Sequence, residues 1–168
     1  VTIELFSDNN IITENISIKR SENKKGYNQI DRRTVDKYKQ MWGIPDDLAE
    51  VLKFFTGEYN PYIQNPRDKK GKRMFIDELK EEEQNKIIDF FFKNKKKIST
   101  DLLKGREGIT PNWFMVTYYN KEYDTTTYIL NKIDTIIDIF TQGNVFITKK
   151  GSLNIGNITM QRKGGTPD

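Results

Sequence analysis

Two short runs of alternating residues open the chain, Val1-Thr2-Ile3-Glu4-Leu5-Phe6 and Asn15-Ile16-Ser17-Ile18-Lys19-Arg20, and turn-forming Asp8-Asn9-Asn10 lies between them. A period of two is the signature of a half-buried strand, so this stretch must fold as a β-hairpin, with its connection running from Ser7 to Thr13. Alternation gives Val1, Ile3 and Leu5 one face and Thr2, Glu4 and Phe6 the other. In the second strand Ile16 and Ile18 face one way, toward the core, while Ser17 and Lys19 face the other. A polar loop, Asn23-Lys24-Lys25-Gly26, follows.

The rest of the chain changes period. Val35, Tyr38, Met41 and Trp42 fall at helical spacing within about 30–42, and Gly43 stops that helix. Pro45-Asp46-Asp47 starts the next one, with acids at the positive end of its dipole and a stripe of Leu48, Val51, Leu52 and Phe55. Residues 58–73 read as an exposed basic loop, in which Lys69, Lys70, Lys72 and Arg73 are suited equally to DNA-backbone contact and to plain solvation. A helix is expected over 76–93, acids leading and Lys93, Lys95, Lys96 and Lys97 supplying charge at its trailing end. A strand follows Pro111, from Asn112 to Tyr119. Ile129, Leu130, Ile133, Ile136, Ile137 and Phe140 then share a helical spacing ended by Gly143. A closing hairpin pairs 144–149 with 153–163 about Gly151-Ser152. Strands at both ends with helices between predict an α/β fold, a mixed β-sheet flanked by helices, in one domain over residues 1–168. Both ends of the chain read as cuts inside a larger protein.

Composition narrows the chemistry. The chain has no cysteine and no histidine. Disulfides, zinc sites built on thiolate or imidazole, and nucleophiles activated by histidine are all excluded. Catalysis is left to carboxylates, lysines, hydroxyls and a hard, oxygen-seeking cation. Hydrophobic residues make up 35% and mean hydropathy is −0.75, yet the apolar residues cluster periodically and aromatics reach 12%, which argues for a folded domain. The net charge of +4 favours a polyanionic partner. No apolar run is long enough for a membrane span, and the chain reads as a cytoplasmic protein with no membrane partner. Trp42, Phe54, Phe55, Phe90, Phe91, Phe92 and Trp113 read as core residues rather than as base-stacking platforms.

Ser17-Ile18-Lys19 on a strand beside a second strand resembles the PD-(D/E)XK nuclease superfamily, and within it the type II restriction endonucleases. The pattern is nearest to enzymes that cut CCGG, which also carry a polar-x-Lys strand followed by a Ser- and Lys-rich turn like Ser21-Glu22-Asn23-Lys24-Lys25. The likeness spans about 40 residues, through the first helix. It implies Mg²⁺-dependent hydrolysis of phosphodiester bonds in double-stranded DNA at a specific short sequence. Lys19 would position or deprotonate the attacking water and stabilise the transition state. Ser17 would take the place usually held by an acid, a departure that weakens metal binding, since a hydroxyl is a poorer Mg²⁺ ligand than a carboxylate. The Ile18 backbone carbonyl would be a metal ligand, and the main ligand, an aspartate, would stand just before Val1, outside this chain. Glu4 and Glu14 are the carboxylates within the chain that could add charge. Arg20, Ser21, Lys24 and Lys25 would contact DNA.

Near the other end, Gln161-Arg162-Lys163-Gly164-Gly165 offers side chains that read base edges and glycines that admit phosphate closely, as at the ends of many restriction enzymes. Gln161, Arg162 and Lys163 are therefore expected to touch DNA. The same triplet is a second, lower-ranked polar-x-Lys candidate, with Asp134 and Asp138 upstream on a helix. The alternative from another class is a non-catalytic DNA-binding module. Monomer and homodimer both remain open.

Overall fold

The computed structural model describes residues 1–7, 10–21, 33–105, 108 and 110–160, with Ser21 described in its backbone alone. It divides into two compact units, one built from 1–28 and 99–140 and the other from 29–98 and 141–168.

In the first unit, β1 (Thr2–Ser7) and β2 (Asn10–Ser21) pair antiparallel from Thr2↔Asn15 to Ser7↔Asn10. The expected hairpin is present, but β2 begins at Asn10, which shortens the connection to residues 8–9, because β-branched Ile11, Ile12 and Thr13 extend the strand. Strand β3 (Trp113–Asn120) runs parallel to β2, and β4 (Thr125–Lys132) antiparallel to β3, giving a mixed sheet in the order β1-β2-β3-β4. Ile129 and Leu130, expected on a helix, lie in β4, which opens on the β-branched run Thr125-Thr126-Thr127. Helix α4 (Ile133–Thr141) follows without a break. Asn112 stitches this junction together: its N–H donates to the Asn15 carbonyl (2.8 Å), its side-chain oxygen accepts from the Asn15 N–H (3.0 Å), and its carbonyl accepts from the Ile133 N–H (2.9 Å).

The core of this unit lies on one sheet face. Phe114 is buried against Ile133, Ile136 and Ile137, with Leu103, Val116 and Phe140 around them. The register Ser17↔Phe114 and Lys19↔Val116 gives this face Ser17 and Lys19 as well. The opposite face carries Val1, Ile3, Leu5 and Ile18, and here the expectation of an inward-packed row is corrected. Ile3 is 40% exposed, Leu5 54% and Ile18 42%, so the alternation has the right parity but the helices pack on the other side.

In the second unit, α1 (Val35–Trp42) is capped by the Thr34 side chain and ends at Gly43 in the left-handed region (φ +75). Helix α2 (Asp46–Thr56) buries Leu48, Ala49, Leu52 and Phe55 and stops at Gly57 (φ +86). A short 3-10 turn, Ile76–Glu78, precedes α3 (Glu81–Lys104). Helix α3 runs through the lysine cluster instead of ending there, so the expected helix-end role of Lys93–Lys97 is corrected. Lys97 Nζ donates to the Trp42 carbonyl (2.7 Å) at the negative end of α1, and Lys95 Nζ donates to the Gly143 carbonyl (2.9 Å). Trp42 stacks on Tyr38 and meets the edge of Phe91; all three are buried, Trp42 and Phe91 as expected. Phe92, also expected in the core, is 49% exposed. The closing hairpin is instead three antiparallel strands, β5 (Val145–Ile147), β6 (Leu153–Ile155) and β7 (Ile158–Met160), because Gly156-Asn157 turns the chain once more.

Gly151 sits at φ +74 in the β5–β6 turn, pressed against the strand-like entry to the 3-10 turn. A Cβ there would stand 2.5 Å from Asp77 Oδ1 and 2.6 Å from Phe75 Cβ. Gly151→Ala is therefore expected to lower stability by about 2 kcal/mol, through left-handed strain and overpacking together. Urea unfolding reads this directly, and an unchanged midpoint would show that the turn is not docked as described.

Candidate nuclease site

The site is built on β2, an interior strand. Extended backbone sends alternate side chains to opposite faces, so Ser17 and Lys19 project together and Ile18 and Arg20 project the other way. Ser17 is half-buried and Lys19 exposed. Ser17 lines a cleft of about 410 Å³ together with Thr2, Asn15, Leu103, Lys104 and Pro111. Thr2 Oγ1 donates to Asn15 Oδ1 (2.9 Å), which ties β1 to β2 on this same face. Lys104, which lines the cleft, is engaged, since its Nζ lies 2.6 Å from Asp134 Oδ1. Lys19 has no partner among the described residues.

Strand geometry also orients the Ile18 carbonyl. Val1 and Ile16 exchange both backbone hydrogen bonds (2.9 and 2.7 Å), so the Ile16 carbonyl points to the β1 side of β2. Two residues on, the Ile18 carbonyl points to that same side, past the described end of β1.

The described carboxylates singled out above do not join this group. Glu4 shares the face of Ser17, but it stands opposite Thr13, four residues along β2 and about 13 Å away at the usual strand rise. It cannot share one ion with Ser17. Glu14 projects from the opposite face and accepts from Trp113 Nε1 (2.9 Å). Asp134 and Asp138 are on α4, as the lower-ranked assignment supposed, and Asp134 is held by Lys104. Among the described residues no three acidic side chains gather to hold a metal. The donors present, a hydroxyl and a backbone carbonyl, are hard oxygens of the type Mg²⁺ takes, and they lack only negative charge.

Arg20 is exposed on the face opposite Lys19, near Tyr119, whose hydroxyl donates to Asp124 Oδ1 (2.7 Å). That hydrogen bond raises the Tyr119 pKa above the ordinary phenol value. Lys24, Lys25, Gln161, Arg162 and Lys163 lie outside the described residues, as does the Ser21 side chain. The sequence reading missed the cleft beside Ser17, because its far wall comes from the last turn of α3, which the charge pattern had ended too early. No helix among the described residues is long and apolar enough to cross a membrane.

No curated protein matches the chain. The family model described as R.HinP1I restriction endonuclease matches residues 1–168 of the chain. With a mixed four-stranded sheet and flanking helices as its fold, the chain belongs to the R.HinP1I restriction endonuclease family, a family of type II enzymes that cleave DNA.

Proposed function

We propose that this chain is a single nuclease domain of the PD-(D/E)XK superfamily, nearest in pattern to CCGG-cutting enzymes. It would hydrolyse double-stranded DNA at a specific short sequence with Mg²⁺, as the cutting half of a cytoplasmic restriction-modification pair. The observation that carries this reading is the pairing of Ser17 and Lys19 on one face of β2, beside the side of the strand to which the Ile18 carbonyl points. The register supports the expected aspartate too. Thr2 pairs with Asn15 and Val1 with Ile16, so one step further back the position before Val1 falls opposite Ser17.

Ser17, the Ile18 carbonyl and that aspartate would hold the ion. When bound, Mg²⁺ polarises the phosphate and lowers the pKa of the attacking water. Lys19 would position or deprotonate that water and donate toward the charge developing on the phosphoryl oxygens. The apolar cluster around Phe114 and Val116 keeps the Lys19 strand from shifting.

Plasmid cleavage with and without Mg²⁺ tests the reading. Discrete fragments are expected with Mg²⁺ and none with a chelator. Duplex binding without cutting under either condition would replace the nuclease with the non-catalytic DNA-binding module.

A further inference from the structure

The basic loop of the second unit is a constructed surface. Arg67 roots it: its guanidinium pairs with Asp77, lies 4.4 Å over the Phe75 ring, and its backbone N–H donates to Glu78 Oε1 (2.6 Å). Asp68 closes the turn that follows, its carbonyl accepting from the Gly71 N–H (2.7 Å) and its carboxylate from the Lys72 N–H (3.2 Å). Gly71 takes the left-handed conformation (φ +62) that the turn requires. Lys69, Lys70 and Lys72 are left exposed around it.

A second basic tip is fastened to the same root. The β5–β6 turn is closed by Thr148 N–H to the Ser152 carbonyl (2.7 Å) and Gly151 N–H to the Thr148 carbonyl (2.8 Å). It docks through the Gly151 carbonyl, which accepts from the Ile76 N–H (3.0 Å), and through the contact of Gly151 with Phe75 and Asp77. Those two side chains are the ones Arg67 also engages. Lys149 and Lys150 stand exposed at this tip.

Charge bookkeeping separates these five lysines from many others in the unit. Lys39, Lys53, Lys86 and Lys93 each pair with a carboxylate. The ammonium groups of Lys69, Lys70, Lys72, Lys149 and Lys150 have no partner among the described residues. Two hydrogen-bonded turns thus hold five lysines without a described partner around one shared contact of Arg67, Phe75, Asp77 and Gly151, which lowers the ordering cost of meeting a polyanion.

We propose that these two turns form a DNA-backbone clamp, contacting phosphates without reading sequence and acting apart from the hydrolytic site. The clamp rests on DNA as the substrate of this family and not on the role given to Lys19. Its signature is electrostatic, because each phosphate neutralised releases counterions and steepens the salt dependence of binding by about 0.9 in log–log slope.

The test is fluorescence anisotropy with a mixed-sequence 30-base-pair duplex, in chelator so that nothing is cut, from about 50 to 200 mM salt. Replacing all five lysines by alanine is expected to flatten the slope by about two or more and weaken binding about tenfold or more at the middle of the range. The Lys69/Lys70/Lys72 and Lys149/Lys150 subsets should each give part of that change, and Lys→Arg at the same positions should give none. Lys93→Ala, which removes a lysine paired with Asp89, serves as the control. A five-lysine variant with the slope of Lys93→Ala overturns the clamp, as does a duplex the unmodified chain does not bind. If the combined variant unfolds, the single substitutions read the same slope one lysine at a time. Failure of the nuclease reading would show in plasmid cleavage, and failure of the clamp in the salt slope.

Discussion

Replacing Lys19 by alanine is expected to slow DNA cleavage at least about a hundredfold while leaving duplex affinity within about threefold. Lys19 is exposed and has no partner among the described residues, so its removal breaks no ion pair and opens no cavity. Its neighbours Ile18 and Arg20 face the other side of the sheet, and its register partner Val116 packs on the apolar cluster without it. A loss of rate at unchanged stability would therefore belong to the chemistry. Lys19→Arg sharpens the test. A guanidinium keeps the charge but cannot give up a proton and is planar where an ammonium is compact. If charge alone mattered, arginine would restore most of the rate; if the lysine handles the water, it would restore little. Single-turnover cleavage with Mg²⁺ measures both, and the urea midpoint of each variant confirms that the fold is intact. Cleavage that survives Lys19→Ala would move the catalytic assignment to Gln161-Arg162-Lys163.

What the sequence made legible was the element on which the site stands. Period-two alternation fixes parity within each strand, and parity alone puts Ser17 and Lys19 on one face of β2; the register then adds Thr2 and Glu4 to that face. Parity does not say which face the helices cover. Ile3, Leu5 and Ile18 look like a core row, yet the buried aromatic of this sheet, Phe114, lies on the face of Ser17. That choice is made by Leu103 and by the isoleucines of α4, distant in sequence from the hairpin, and no local pattern encodes it. Distance along a strand was equally hidden: Glu4 has the right face, but the hairpin register sets it beside Thr13 rather than Ser17. The boundary errors have a common origin as well. Lys93–Lys97 resembled the basic end of a helix, but the ammonium groups of Lys97 and Lys95 serve carbonyls elsewhere in the fold, at Trp42 and Gly143, and the helix continues beneath them. Ile129 and Leu130 matched a helical spacing only because a strand and a helix meet without a loop at Lys132 and Ile133.

Phe114→Ala should produce the largest loss of stability, about 3–5 kcal/mol, since it removes a fully buried ring from a small cluster. The cluster has few ways to close the gap. Ile133, Ile136 and Ile137 belong to one rigid helix, and their β-branched side chains are stiff at the first torsion. At the urea sensitivity usual for small proteins, the midpoint should fall by about 1 M or more. Phe114→Leu keeps most of the apolar volume and should recover more than half of the loss. The consequence reaches the site because Phe114 and Ser17 are register partners on neighbouring strands, so the ring fixes β3 against the strand that carries Lys19. Cleavage by Phe114→Ala should therefore fall at temperatures where the protein is still folded, while the salt dependence of duplex binding, which depends on lysines of the other unit, should not change. A midpoint shift worth less than about 1 kcal/mol would mean that the cluster repacks freely and that Phe114 does not hold the lysine strand in place.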